Sequence, residues 1–552
     1  MSLRYATPSE EAYRFPLTIR HLLDAAMVSA VDQEIVYRDQ ARFTYAQLGD
    51  RIGKLATTLK GLGVEEGMTV AVMDWDSHRY LEAYFAVPMM GAVLQTVNVR
   101  LPIPQIGYTL QHAQAEVLLV HADFFPIVDA LLPSLPKVRA VIAILDGADR
   151  PLPEWARGEY ESLLEAAPTD FPFADFDENA VATTFYTTGT TGNPKGVCFT
   201  HRQLVLHSLA AMAPFGSVSG FGLGYRDVYM PLTPMFHVHA WGMPYIATML
   251  GVKQVYPGRY DPAMLCALRE AHQVTYSHCV PTILQIVLKA ADDCGADLTG
   301  WKMTIGGAAL TKTLCEEGRR RGLHLIAGYG MSETAPLVSV GRVRPEDIGD
   351  DAAEIEALTG TVSGPLVSAR IVDDAMNDLP RDGRTRGELV LRAPWLTSCY
   401  TGDEAASRDL WRGGWMHTQD IATIDASGVI RIRDRLKDVI KSGGEWIDSL
   451  ALEDILMTAD GVIEVAVIAI PSARWGECPL AVVIAKPETP MTLAALNSKL
   501  LEAVEAGLIT RYAKLERLEL VEALPRTSVG KTDKKRLRAQ FGNAKSPDSP
   551  AK

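Results

Sequence analysis

The chain has no apolar run long enough to span a bilayer, and its first residues, Met-Ser-Leu-Arg-Tyr, lack the apolar core of a secretion signal. Cysteine is scarce: there are seven in 552 residues, an odd number, scattered and without a Cys-x-x-Cys pair. That excludes a disulfide framework and a cysteine-built zinc site. Positive charge is also short, with 54 Lys and Arg against 67 Asp and Glu and a net charge of -13. General affinity for nucleic acid or an anionic membrane is therefore not expected, and a bound phosphate would need local positive charge. No internal repeat is present, and no Ser-His-Asp or Cys-His constellation offers an enzyme nucleophile. The P-loop is missing too: the one Gly-Lys-Thr, residues 530–532, has Pro525 where that loop needs its first glycine. These absences place the chain in a reducing cytoplasm with no integral membrane association.

What is present begins with length. At 552 residues the chain exceeds one core and predicts two or more domains, with 47% apolar and 22% charged residues, an ordinary globular composition. Thr44 and Gln47 form a capping box, followed by Leu48, Ile52, Leu55, Leu59 and Leu62 on one helical face. Strands at 69–73, 93–97, 117–120 and 141–145 alternate with helices, which predicts βαβ units and a largely parallel sheet. Thr200 and Gln203 repeat the capping pattern at the start of a second helix. From 369 to 391 the pattern turns to β, and 421–432 reads as a hairpin. Beyond Asp438 a smaller unit follows, with strands at 462–470 and 480–485 and a helix at 494–504. The tail, 542–552, is rich in Ser, Pro, Lys and Ala and is expected to be disordered.

Residues 186–197 read Tyr-Thr-Thr-Gly-Thr-Thr-Gly-Asn-Pro-Lys-Gly-Val, with four threonines, three glycines and Lys195 in twelve positions. Glycines let backbone N–H groups turn toward a ligand, hydroxyls add donors and the lysine adds charge, a set suited to a polyphosphate. Further on, 306–309 (Gly-Gly-Ala-Ala) and 328–334 (Gly-Tyr-Gly-Met-Ser-Glu-Thr) would let a flat heterocycle lie on backbone, with Tyr329 as a stacking face. Glu333 is a hard oxygen ligand suited to magnesium, and Thr334 offers a hydroxyl to phosphate oxygen. Asp420 can accept both ribose hydroxyls. His237 and His239 have no cysteine or carboxylate cluster beside them, so a metal is not expected there, and His239 reads as a hydrogen-bonded core residue.

The threonine-rich run resembles the phosphate loop of the adenylate-forming superfamily, which comprises acyl-CoA synthetases, adenylation domains of peptide synthetases and luciferases. The later stretches follow in the family's order, so the resemblance covers about residues 44–537. It implies an α/β fold: a large N-terminal domain of βαβ sheets plus a β-rich subdomain (1–436), then a small mobile α+β C-terminal lid (437–541) hinged at Lys437. It implies nucleotide contacts from Thr187, Thr188, Gly189, Thr190, Thr191, Lys195, Gly307, Ala308, Ala309, Gly328, Tyr329, Gly330, Met331, Ser332, Glu333, Thr334, Asp420, Ile432, Arg435 and Lys531. Catalytic roles fall to Lys531, Glu333, Thr187 and His237, with Mg2+ at Glu333 and Thr187. The acyl pocket would be His237, Trp241, Gly242, Val280, Ala308 and Trp395, a wall without lysine or arginine for a second carboxylate. Lys441, Ser442, Gly443, Gly444, Glu445 and Trp446 match the segment that lines the coenzyme A tunnel. One departure stands out, Gln419 where the family has glycine.

The resemblance implies an ATP-dependent acid–CoA ligase: carboxylate and ATP give acyl-AMP and pyrophosphate, then coenzyme A takes the acyl group and AMP leaves. The partners are the acid, ATP and coenzyme A, with a homodimer as the candidate assembly. A carrier protein as acyl acceptor, a luciferase-like oxygenase and a non-catalytic nucleotide sensor are the alternatives. The 201–207 run (His-Arg-Gln-Leu-Val-Leu-His) and Gly-Gly-Glu-Trp (443–446) are shared with medium-chain fatty-acyl-CoA synthetases and methylmercaptopropionate–CoA ligases. That suggests a short or medium-chain fatty or methylthio-alkanoic acid, with aromatic acids next.

Overall fold

The computed structural model describes residues 3–187, 193–217, 221–443, 445–472, 474–487, 489–527 and 530–542. Thr188, Gly189, Thr190, Thr191, Gly444 and the 543–552 tail therefore lie outside the described residues.

Among the described residues, three sheets carry the chain. A seven-stranded sheet runs Ala156–Glu159, Ala140–Ile144, Ala115–His121, Thr69–Met73, Val93–Thr96, Val181–Thr187, Lys195–Thr200. It is parallel except for its last pair, the hairpin that holds the threonine-rich loop between Thr187 and Lys195. Helix Tyr45–Gly61 starts on the capping box predicted at Thr44 and Gln47 and buries Leu48, Ile52, Leu55 and Leu59. Helix His78–Met89 is buried on every side; its apolar and aromatic residues suit that, and its charged ones are paired, Glu82 with Arg51 and Arg79 with Asp146 and Glu161.

The second sheet has thirteen strands and changes character midway. Its parallel half (His324–Gly330, Lys302–Ile305, Tyr276–Cys279, Val228–Tyr229, Lys253–Tyr256, Glu34–Tyr37) ends on the short antiparallel edge strand Ala41–Thr44. Its antiparallel half includes Gly387–Arg392, Met416–Ile424 and Val429–Arg435, the β-rich part that the sequence foretold, with the hairpin where Asp425 and Gly428 put it. The third sheet is smaller: Ile440–Ser442, Glu445–Ile447, Val462–Ser472, Gly476–Ala485 and Arg517–Leu520, packed by helices Ser449–Met457, Leu493–Glu505 and Lys534–Phe541. No described helix is long and apolar enough to cross a membrane.

A backbone detail explains the departure at Gln419. The residue sits inside strand Met416–Ile424 with φ +58, the left-handed conformation that glycine adopts freely. Its N–H donates to Glu388 Oε1 at 3.1 Å and its carbonyl accepts from Leu436 N at 2.9 Å. The kink is thus kept by neighbours, and Asp420 still faces Arg435 in register. A non-glycine residue in this region costs about 1–2 kcal/mol, while glycine loses roughly 0.5–1 kcal/mol in chain entropy. Gln419→Gly should therefore raise unfolding stability by about 0.5–1 kcal/mol, and Gln419→Val should lower it by roughly 1–2 kcal/mol. Denaturant midpoints of the two variants check the sign. A glycine variant less stable than the parent would mean that the Gln419 side chain does more than fill the position.

Candidate active site

Lys531 is the side chain around which the site is built. Beside it Arg526 and Thr532 pair, Thr527 N donates to Lys531 O at 2.8 Å, and Gly530 has φ +84. The Thr282 hydroxyl donates to Gly530 O at 3.4 Å, tying that residue to the start of helix Pro281–Cys294. From there Lys531 reaches Gly307, whose φ is +75: a Cβ built on that glycine would lie 3.2 Å from Lys531 Cε, 3.6 Å from its Nζ and 3.1 Å from Val280 Cγ1. Only a glycine leaves room for this close approach. Burial and the nearby Arg435 guanidinium lower the Lys531 pKa to about 8, against the opposing pull of Asp420 and Glu333.

Around this ammonium the sequence-predicted residues converge. Gly307, Ala308 and Ala309 are exposed, an open shelf beside it. Across the crevice Tyr329 donates its hydroxyl to Asp420 Oδ2 at 2.8 Å, and Arg435 Nε pairs with Asp420 Oδ1 at 2.8 Å. Both carboxylate oxygens are engaged, yet each keeps a second lone pair for a ribose hydroxyl. Ile432 lies half-buried on the same strand as Arg435. Glu333 is 6% exposed, and burial raises its pKa. Its Oε1 accepts from Tyr400 O–H at 2.6 Å, and Lys195 Nζ stands 4.5 Å over the Tyr400 ring. Thr187 and Lys195 are paired residues at the mouth of the loop hairpin. Gly330 is obligatory, since a Cβ there would overlap the Pro336 carbonyl. The turn that follows it, with Met331 and Ser332 half-buried, is held by Thr334. The Thr334 hydroxyl is committed to the backbone of Met331 and Pro336, so here it fixes the loop rather than facing the crevice.

The acyl side is built from the stretch after Pro234. Val238, His239, Ala240 and Trp241 take successive φ values of +48, +53, +44 and +59, and Gly242 follows at +73. Such a left-handed turn in non-glycine residues is strained, and strain of this kind collects at functional sites. Trp241 lies with its ring edge over Gly306, 3.0 Å from where a Cβ would sit, and tilted on His278 at 5.0 Å. Gly242 admits the His207 ring, 2.9 Å from its own missing Cβ, and His207 meets the buried Trp395 edge to face. His237 faces Lys531 and Arg100; burial, with those cations, lowers its pKa to about 3, so it is a neutral imidazole. His239 is a core residue as expected, but not a hydrogen-bonded one. Among the described residues neither ring nitrogen has a partner, because Tyr84, Phe185, Phe199 and Tyr245 surround the imidazole with rings.

The predicted coenzyme A segment is not brought to this crevice. Lys441 N donates to Glu477 Oε2 at 2.7 Å, Gly443 N to Trp475 O at 2.9 Å, and Trp446 O accepts from Arg386 at 2.9 Å. Ser442 is buried and Glu445 exposed. Lys437, between the last strand of the large sheet and the first of the small one, is exposed. Sequence reasoning missed Tyr400, Thr282 and Arg100. Of these, only Tyr400 carried a usable signal, as an aromatic residue within the Cys-Tyr-Thr-Gly-Asp-Glu turn. Ser449, in a stretch superficially like a carrier attachment site, is fully buried and donates its hydroxyl to Asp434 Oδ2 at 2.5 Å, which leaves it closed to modification.

The likeness to known proteins extends over most of the chain. The family described as AMP-binding enzyme matches residues 23–401, and the AMP-binding enzyme C-terminal domain matches 451–531. A long-chain-fatty-acid–CoA ligase of Thermus thermophilus is 42% identical over 509 residues, 91% of this chain and 91% of its own. A 3-methylmercaptopropionyl-CoA ligase of Ruegeria lacuscaerulensis is 35% identical over 540 residues, 96% of this chain and 98% of its own. Among solved structures, an anthranilate CoA ligase in complex with anthranoyl-AMP has the same fold, with a TM-score of 0.83 at 24% identity over 95% of this chain and 98% of that one. With an open glycine shelf and the C-terminal Lys531 set against it, the chain belongs to the AMP-binding, adenylate-forming enzymes.

Proposed function

We propose that this enzyme is an ATP-dependent acid–CoA ligase that works through an acyl-adenylate. The observation that carries the reading is the Lys531 ammonium set against Gly307, beside Asp420, Arg435 and Glu333. A carboxylate is a poor electrophile, and its attack on the α-phosphate of ATP brings anions together. The protein's part is charge compensation and alignment. Lys531 and Lys195 supply charge, the glycine shelf receives the adenine, and Asp420 takes the ribose. Neutral His237 can donate one N–H to the acid's carboxylate without competing for a proton. The residues also suit magnesium: Glu333, with Thr187 nearby on the hairpin, offers few but hard oxygens, as an ion held mostly by phosphates and water requires. Bound there, it would neutralise phosphate charge. The second half-reaction needs the 441–446 segment in place of Lys531, so the reading includes rotation of the small domain about Lys437. The seven free thiols fit a reducing cytoplasm.

For the acid, we favour unbranched short to medium chains, including thioether acids, on the reading that Trp241 and Trp395 border the acyl pocket and limit its volume. The relatives differ here, one named for long-chain acids and one for a methylthio acid. Each added methylene contributes about 0.8 kcal/mol while room lasts, so specificity should climb with length and then break. Trp241→Ala should move the break to longer acids. An optimum at palmitate, or an unmoved break, would show that Trp241 does not limit the pocket.

Lys531→Ala should remove a charge-assisted contact of about 1.5–3 kcal/mol, slowing acid-dependent pyrophosphate exchange by roughly ten- to hundred-fold. Synthetic acyl-AMP with coenzyme A should still give thioester at near-normal rate. Equal damage to both steps would reject a role confined to adenylation, and no pyrophosphate release with any acid would reject the enzyme reading altogether.

The same residue sets a pH limit. Lysine is charged below its pKa, so lowering that value to about 8 means the ammonium is lost as pH rises through about 8. The kcat/KM for exchange should fall above that pH. In Lys531→Arg, whose guanidinium stays charged, the fall should move out of the range. A profile identical in the two proteins would assign the limb to another group.

A further inference from the structure

Cys198 and Cys399 face each other across a short pairing that the proposed reaction does not use. Val197 and Tyr400 form an isolated antiparallel bridge, and Thr401 N donates to Gly196 O at 2.9 Å. One step along from Val197 and one step back from Tyr400, Cys198 and Cys399 are direct opposites. The Thr397 hydroxyl, donating to both the Cys198 and Cys399 carbonyls at 3.0 Å, clamps the two backbones together. Opposed residues of an antiparallel pair have Cα atoms about 4.5–5.5 Å apart and side chains on one face. A disulfide needs about 4.4–6.8 Å. The two thiols lie within hydrogen-bonding reach of each other, and both residues are only half-buried, open to a small oxidant.

We propose that Cys198 and Cys399 form a reversible thiol–disulfide site that governs use of the ATP crevice. With a peroxide as oxidant, one thiolate attacks the O–O bond, giving a sulfenic acid and hydroxide, which leaves as water with the thiol's own proton. The second thiol then attacks the sulfenyl sulfur; the S–S bond forms, the S–O bond breaks, and a second water departs. Two electrons pass from the sulfur pair to the peroxide, and a dithiol reverses the step. Burial and the neighbouring thiol push the Cys198 pKa up to about 11, which makes oxidation slow at neutral pH and faster in alkali.

The link would act through Tyr400, which follows Cys399. Its hydroxyl holds Glu333 Oε1, its ring lies under Lys195, and Thr397 N donates to Glu333 O at 2.9 Å. Locking Cys399 to strand Lys195–Thr200 fixes Tyr400 on Glu333 and withholds that carboxylate from the adenylation step. This consequence rests on the proposed function; the covalent site does not.

The test treats the full-length protein with hydrogen peroxide, alkylates the remaining thiols and maps unreduced peptides by mass spectrometry. The expected result is a Cys198–Cys399 cross-linked peptide, lighter by two hydrogens and abolished by dithiothreitol. Pyrophosphate exchange should fall about tenfold, as for loss of one charge-assisted contact, and recover on reduction. Cys198→Ser and Cys399→Ser, made separately so that one misfolded variant does not end the test, should each keep their exchange rate under peroxide. Cys266, which lies against the exposed Cys294, provides an internal comparison. Reaction at Cys294 with no Cys198–Cys399 link, or sulfinic acid at either residue, overturns the site. A link that leaves exchange unchanged overturns its control of ATP use. A protein that shows no exchange before oxidation counts against the proposed function alone.

Discussion

An ammonium group pushed into a half-buried crevice sets the terms for the rest of this molecule. Lys531 gives up much of its hydration where it meets Gly307, and its lowered pKa measures that penalty. Something outside the crevice has to hold the small domain down, and the contacts are polar. Asp434, on the last strand of the large sheet, accepts from Ser449 N at 2.7 Å and from the Ser449 hydroxyl. Lys534 joins them, donating to the Ser449 hydroxyl at 2.6 Å and pairing with Glu453 at 2.6 Å. The positive charge of Lys534 between Glu453 and Asp434 keeps it protonated despite burial. Arg386 with Asp448 adds an ion pair between the two units, while Arg538 pairs with Asp438 within the small one.

Inside the crevice the electrostatics are arranged by subtraction. His207, His237 and His278 all have pKa values lowered to about 3 by burial, so the acyl side presents neutral imidazoles and aromatic rings. Positive charge is left to Lys531, Lys195 and Arg435, on the nucleotide side. In the proposed reaction, a carboxylate entering such a site would find its attraction concentrated on the phosphate side, and its chain would meet apolar walls. The left-handed turn at 238–241 belongs to the same economy: it is the strained backbone that carries His237 and Trp241 into one wall.

Much of this could be read in the sequence, and for definite reasons. Capping boxes at Thr44 and Thr200 and the hairpin at Asp425 depend on neighbours in the chain, so local pattern sufficed. Gly307 and Asp420 could be singled out because their motifs are compact. The network around Asp434 was not legible, since Ser449 and Glu453 come from one helix and Lys534 from another far along the chain, and none is unusual alone. Nor was the opposition of Cys198 and Cys399, which lie 201 positions apart by subtraction and meet only because Val197 bridges Tyr400. Gln419 is the reverse case: sequence flagged it, and the backbone supplied the explanation.

The contacts that hold the small domain also bear on how it could leave. Arg386–Asp448 keeps partial exposure on the arginine side, and such a pair contributes about 0–1 kcal/mol. Lys534 and Glu453 both belong to the small domain and would travel together, so rotation separates them only from Asp434. What must be given up is therefore the hydrogen bonds to Asp434, those of Arg386 to Asp448 and the Trp446 carbonyl, and the Thr282–Gly530 contact, all of which water can replace at the opened surface. In return Lys531 regains its hydration. The closed arrangement is held by small, partly cancelling terms rather than by an apolar seam. That suits a domain which, in the proposed cycle, has to present Lys531 for one half-reaction and the 441–446 segment for the next.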